Sequence, residues 1–262
     1  MVSPFYNRRG ISMEERKSKH SKRKHNCITG IVILSICLIA MVISGYHIIN
    51  WMKDNKKSQK VINKIQNSVK IENEEALVDF EELKNLNSNT VAWLKVEGTE
   101  IEYPVVKGKD NSFYLTHSFD DSYNNAGWVF ADYNNTFDGE DKHIVIYGHN
   151  RRDGSMFGSL KNVLEKDWCS NEKNRIITFI TEEGNIKYQV FSVYKVENED
   201  YYITTKFNSN EEFEKFVTTL KNRSIYDFGT DITKTYKILT LSTCANNNKY
   251  RVVLHAKQAD ER

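Results

Sequence analysis

Three side chains stand at the ends of strand-like runs in this sequence: the thiol of Cys244, the imidazole of His149 and the guanidinium of Arg251. Residues 238–242 alternate apolar and β-branched types and read as a strand that delivers Cys244 to its C-terminal edge. Residues 245–249 form a polar turn, and a second strand runs over 250–256 with Arg251 at its start. If the two pair as a hairpin, thiol and guanidinium lie at the same end. His149 closes another apolar run, 143–147, through Gly148. A thiol activated by a base, with a cation to receive charge developing on a carbonyl oxygen, is the composition of a cysteine acyl-transfer site. Spacing alone leaves a second reading open. A cysteine on a strand also serves as a small buried apolar residue, and a histidine at a strand end as a cap or surface group.

The residues around these three carry more than spacing. The sequence resembles a class B sortase in the box Thr240-Leu241-Ser242-Thr243-Cys244, in the strand 251–257, and in Tyr147-Gly148-His149-Asn150 followed by 153–157, Asp-Gly-Ser-Met-Phe. Trp93-Leu94-Lys95-Val96 and 101–106 look like the same family, and the motifs occur in family order from about residue 75 to the end. The resemblance implies a mainly β (α+β) fold. It is a closed eight-stranded barrel with an N-terminal helix and a helix between strands six and seven, preceded by one transmembrane helix. It also implies that Cys244 attacks a peptide carbonyl, that His149 is the acid or base, and that Arg251 stabilises the oxyanion. Asn111, Leu115, Tyr147, Asn198, Tyr202, Ile203 and Ser242 would line the groove for a sorting-signal peptide. The peptide motif would be similar to Asn-Pro-x-Thr. The acceptor would be an amine of lipid II or the peptidoglycan cross-bridge, or a pilin lysine in a pilus-building member. No cofactor or metal is implied; Glu197, Glu199 and Asp200 read as a solvated loop. Ala245 stands where some class B members carry an acidic residue, and the turn between Cys244 and Arg251 is short for the class.

The elements that must position these residues follow from the pattern. Residues 1–26 are basic, and 27–49 contain no Asp, Glu, Lys or Arg. As a helix that segment is roughly 35 Å long, enough for a hydrocarbon core of about 30 Å. The basic flank places the N-terminus in the cytoplasm, and the catalytic domain then lies outside the plasma membrane, facing the cell wall. Residues 50–74 read as a polar stalk in which Val61, Ile65 and Val69 recur at helical spacing, and 75–262 as the catalytic domain. Asp79 is placed to cap a short helix bearing Phe80, Leu83 and Leu86. From residue 91 the period becomes two, and strands are expected over 91–96, 100–106, 127–131, 143–147, 175–181 and 186–196. Helices are expected over 156–166 and 211–221.

A net charge of +2 over 262 residues gives no global argument for nucleic acid. Four cysteines are present, and there is no Cys-x-x-Cys pair and no His-Glu-x-x-His. Cys27 and Cys37 fall in the apolar helix. A bridge between Cys169 and Cys244 would consume the nucleophile. Two other function classes stand beside the sortase reading. An L,D-transpeptidase would place Arg two residues after its cysteine, where this chain has Asn246. A membrane-tethered binding module would use Cys244 only for packing.

Overall fold

The computed structural model describes residues 13–65, 68–72, 75–197, 199–233, 235–244 and 250–259. The chain divides into two compact units, residues 1–53 and 54–262. Helix α1 runs Met13–Ile65. From Ile28 it is long and apolar enough to cross a membrane by length and composition. The second unit begins twenty or so residues earlier than the expected domain start. The helix continues through the polar stretch, and Val61 and Ile65, one turn apart, are buried in the core of the second unit. An apolar pair at that spacing needs a surface to cover it, which a solvated stalk does not supply.

A small hairpin follows, β1 (Val69–Glu72) with β2 (Glu75–Val78). Asp79 accepts a hydrogen bond from the Glu82 amide at 2.9 Å and caps α2 (Phe80–Leu86), which buries Phe80 and Leu83. The remaining strands are β3 (Thr90–Val96), β4 (Ile101–Lys107), β5 (Phe130–Ala131), β6 (His143–His149), β7 (Ile176–Thr181), β8 (Gly184–Glu197), β9 (Ile238–Cys244) and β10 (Tyr250–Gln258). They close a barrel in the order β10-β8-β7-β3-β4-β5-β6-β9. Two pairings are parallel, β4 with β5 and β6 with β9; the other six are antiparallel.

Two expected elements differ. The strand expected over 127–131 shrinks to two residues, because Gly127 takes a left-handed φ of +61° and Trp128 donates its amide to the Tyr114 carbonyl rather than to a ladder. The helix expected over 156–166 is a 3-10 helix over Gly158–Leu164, followed by α3 (Lys166–Ser170). Phe157, Leu160 and Val163 are fully buried at intervals of three. That spacing falls on one side of a helix with three residues per turn.

Helix α4 (Asn210–Asn222) lies between the sixth and seventh barrel strands, capped by Ser209. Phe213, Val217 and Leu220 pack with Phe191, Tyr194, Val196, Tyr202, Ile238 and Val253 into a second, smaller core. Tyr194 and Val196 on β8, Val253 on β10 and Ser242 on β9 are register partners or two apart, so they share one face of the sheet. On the same face, at its upper rim, stand Cys244, Arg251 and His149.

Candidate active site

Strands β6 and β9 run side by side in parallel, and their last residues, His149 and Cys244, are direct register partners. A parallel pair sends both C-termini out at one edge, so base and thiol emerge together. Strand β10 returns antiparallel to β9, and its ladder with β9 ends at Val253 opposite Ser242. Above that point the Thr243 hydroxyl accepts from the Val252 amide at 2.9 Å and replaces the missing rung. Arg251 therefore starts β10 at the level of Cys244 while pairing with Val196 of β8.

His149 is seated from three sides. Its Nε2 lies 2.6 Å from the Leu115 carbonyl. A carbonyl only accepts, so Nε2 carries the proton and Nδ1 is the basic nitrogen of the neutral ring. Its own carbonyl accepts from the amides of Arg151 and Phe157, both at 3.0 Å, which turns the chain back over the rim. Behind it, a Cβ at Gly127 would come within 2.7 Å of the imidazole Cδ2, and a Cβ at Gly148 within 2.6 Å of the Phe157 ring. Burial holds the His149 pKa below its ordinary value; the hydrogen bond to Leu115 opposes this, and the nearby Arg151 charge adds to it.

Cys244 is half-buried, and burial pushes its thiol up to about 12, with the Arg251 charge pulling the other way. Burial thus disfavours the charged form of both groups. Cys169 is also a free thiol; it is buried, donates to the Val163 carbonyl at 3.2 Å, and has its pKa pushed to about 11 by burial. Its hydrogen bond goes to a backbone carbonyl rather than to an imidazole, and Cys169 and Cys244 form no bridge with each other.

Arg251 Nη1 donates to the Tyr202 hydroxyl at 3.2 Å and reaches Asp200 at 3.4 Å. Tyr202 Oη in turn lies 2.9 Å from Ser242 Oγ.

The comparisons with known proteins bear on the family and the fold. The sequence matches the family profile described as Sortase domain over residues 94–259. It is 33% identical over 238 residues to sortase B of Listeria monocytogenes, covering 87% of this chain and 94% of that one. The fold superposes on sortase B of Bacillus anthracis with a TM-score of 0.70, at 33% identity, covering 80% of this chain and all of that one. A Staphylococcus aureus sortase B–substrate complex gives 0.65 at 31% identity, over 82% and 96% of the two chains. This chain belongs to the sortase family, class B. It is a cysteine transpeptidase.

In this sortase the other expected site residues sort into two groups. Asn111, Leu115 and Tyr147 gather on the His149 side. Tyr147 donates to Asp132 at 2.9 Å, Asn111 donates to the same carboxylate oxygen at 2.8 Å, and Leu115 holds His149 through its carbonyl. Tyr202, Ile203 and Ser242 gather on the Arg251 side. Tyr202 and Ser242 are fully buried; the Tyr202 hydroxyl meets Arg251 and the Ser242 hydroxyl lies against Tyr202, while Ile203 is half-buried and packs against both cores. Asn198 and Ala245 lie outside the described residues. Asp132, Gly127, Thr243 and Asp200 were not legible as site residues. Asp132 follows a two-residue strand, and Asp200 sits in a loop whose contact to Arg251 spans half a hundred residues. Among the described residues, no group of three or more His, Cys, Asp or Glu is placed to hold a metal ion.

Proposed function

We propose that this sortase cleaves an Asn-Pro-x-Thr-like sorting motif near the C-terminus of a secreted protein and joins the new acyl end to a cell-wall precursor amine. The register of His149 opposite Cys244 carries the proposal, with Arg251 entering from the neighbouring strand. Cys244 Sγ attacks the scissile carbonyl as its proton passes to His149, for which the Nε2–H tautomer leaves Nδ1 as the accepting nitrogen. Negative charge gathers on the carbonyl oxygen, and Arg251 donates to it. The C–N bond then breaks, His149 returns the proton to the leaving amine, and a thioester remains on Cys244. An incoming amine attacks the thioester carbonyl, loses its proton to His149, and expels the cysteine sulfur. The high thiol pKa and low imidazole pKa mean the charged pair is scarce at rest. Reaction then depends on proton transfer as substrate binds.

Asn111, Leu115, Tyr147, Tyr202, Ile203 and Ser242 are proposed to shape the peptide groove, directly or from beneath. A solved relative, a sortase B–substrate complex from Staphylococcus aureus, supports a substrate site on this fold. The apolar part of α1 serves as a membrane anchor in this reading, with a cytoplasmic N-terminus and the catalytic unit facing the wall.

The test is incubation of the purified full chain with a panel of quenched sorting-motif peptides, with and without peptidoglycan-type amines or a pilin lysine peptide as acceptor. Cleavage together with an acyl-enzyme mass on Cys244 is expected. Cys244→Ala should abolish both, and Cys169→Ser should leave most of the rate. Equal loss in the two variants would place the nucleophile elsewhere.

A further inference from the structure

Beneath the site, on the same face of the barrel, lies a chain of buried polar groups that the proposed chemistry does not use. Tyr201 Oη donates to Tyr194 Oη at 2.9 Å. Tyr194 Oη lies 2.9 Å from His255 Nε2, and His255 Nδ1 lies 2.7 Å from Thr240 Oγ1. Thr240 Oγ1 lies 2.6 Å from His143 Nε2, and His143 Nδ1 lies 2.7 Å from the Thr204 carbonyl. His143, Thr240 and His255 are each fully buried.

The proton positions follow from one end. The Thr204 carbonyl accepts, so His143 Nδ1 carries its proton and Nε2 accepts from the Thr240 hydroxyl. The Thr240 oxygen is then the acceptor for His255 Nδ1–H, and His255 Nε2 accepts from Tyr194, whose oxygen takes the Tyr201 proton. Every link has one donor and one acceptor, provided both imidazoles are neutral. Burial holds them so: the His143 pKa falls to about 4 and that of His255 well below its ordinary value.

The chain leaves the Tyr201–Ile203 turn at Tyr201, crosses β8, β10, β9 and β6, and returns to the same loop at Thr204. Between its two ends sits Tyr202, the buried partner of Arg251. The other partner on that side, Asp200, is 76% exposed, so its ion pair holds little in place.

We infer that Thr240, His143 and His255 are positioning residues for Arg251: they pin both ends of the turn that aims Tyr202, and through it the guanidinium, at the reacting carbonyl. This rests on the reading of Arg251 as the oxyanion donor. The register places Thr240 two positions below Ser242 and four below Cys244 on one face of β9, so the support runs directly under the site.

Thr240→Val removes the hydroxyl that joins the two imidazoles at nearly constant volume, and Thr240→Ser keeps it. In the full chain, Thr240→Val should lower kcat for peptide cleavage roughly tenfold with KM held within about twofold, a smaller loss than the about 10²–10³ of an oxyanion donor. Thr240→Ser should recover most of the rate. In an Arg251→Lys background, Thr240→Val should cost less than about twofold, since residues acting through one group are not additive. A near-normal rate in Thr240→Val, an equal loss in Thr240→Ser, or a loss that multiplies with Arg251→Lys would each overturn the inference. If Thr240→Val does not fold, Tyr201→Phe removes one donor at the half-buried end of the chain and must show the same dependence on Arg251. Full activity of Arg251→Lys by itself would overturn the Arg251 reading instead, and is read from that single variant.

Discussion

Strand β6 carries a histidine at each end of one face, His143 and His149, and the two have opposite assignments. His143 is fully buried, with one ring nitrogen against the Thr204 carbonyl and the other against the Thr240 hydroxyl. His149 closes the strand at the rim, held by the Leu115 carbonyl, and faces Cys244 across a parallel register. Residue type, strand and face are the same. What separates them is depth: six residues down the strand, a hydroxyl on β9 and a loop carbonyl are at hand, and both nitrogens are absorbed into the scaffold. At the rim the neighbour is a thiol. The same division runs along β9, from Thr240 through Ser242 to Cys244.

The sharpest test exchanges the two. His149→Ala should lower kcat by about 10²–10⁴, the range for losing a general acid or base, with little change in the melting temperature. His143→Ala should cost mainly stability, with the roughly tenfold loss in kcat expected of a positioning residue rather than that of an acid or base. It strips partners from buried groups worth about 1–3 kcal/mol each, so the melting temperature should drop while activity per folded molecule falls far less. Thermal melts and peptide cleavage on both variants decide; a matched pattern would erase the distinction between rim and depth.

Arg251→Lys probes the rim from the other strand. Lysine keeps the charge and loses the planar fork of donors, so kcat should fall by about 10²–10³ with circular dichroism unchanged. A near-normal rate would reduce Arg251 to a structural partner of Tyr202 and of the exposed Asp200, the latter pairing worth about 1 kcal/mol at most.

Gly127→Ala asks how closely the rim is held. Gly127 has a left-handed φ, and its new Cβ would also lie 2.6 Å from the Tyr114 carbonyl. The His149 ring must shift, and misplacement of about 1 Å can cost about 10²-fold in rate. A loss of about 10–10² in kcat at unchanged KM is expected from steady-state kinetics. Unchanged turnover would mean the ring is located by Leu115 alone.

The smallest effect is on stability against pH. His143 and His255 are held neutral, with pKa values below those of the unfolded chain. Their contribution is complete above about 6.5, where a free imidazole titrates, and is lost as pH falls toward the folded value near 4. Melting temperatures should therefore decline steadily below about pH 6.5. A flat profile over that range would mean the depth of the barrel does not depend on neutral rings.

Much of the rim was legible because the chain writes it locally. Cys244 and Arg251 share a hairpin, and the residues around His149 form a compact motif with Phe157 packed under Gly148. The class B fold and the placement of α4 between the sixth and seventh barrel strands agree with the family matches. The depth was not legible. His143 and His255 read only as histidines within strands, since their shared partner Thr240 is about a hundred residues from one and in a different strand from the other. The helical spacing of Val61 and Ile65 was visible, but not the surface that covers them. Period-two reasoning overextended β5, where a left-handed glycine serves the His149 pocket rather than the ladder.

The parallel contact of β6 with β9 also sets an order of events in folding. A parallel pair cannot close through a short turn, and here the intervening chain must first supply β7, β8 and α4. Joining ends separated by so long a segment is slow, because loop entropy is lost before the contact repays it. Until β9 docks, the thiol has no base beside it and the guanidinium no turn beneath it. The contact that sets His149 opposite Cys244 is therefore the same contact that closes the barrel, and neither forms without the other.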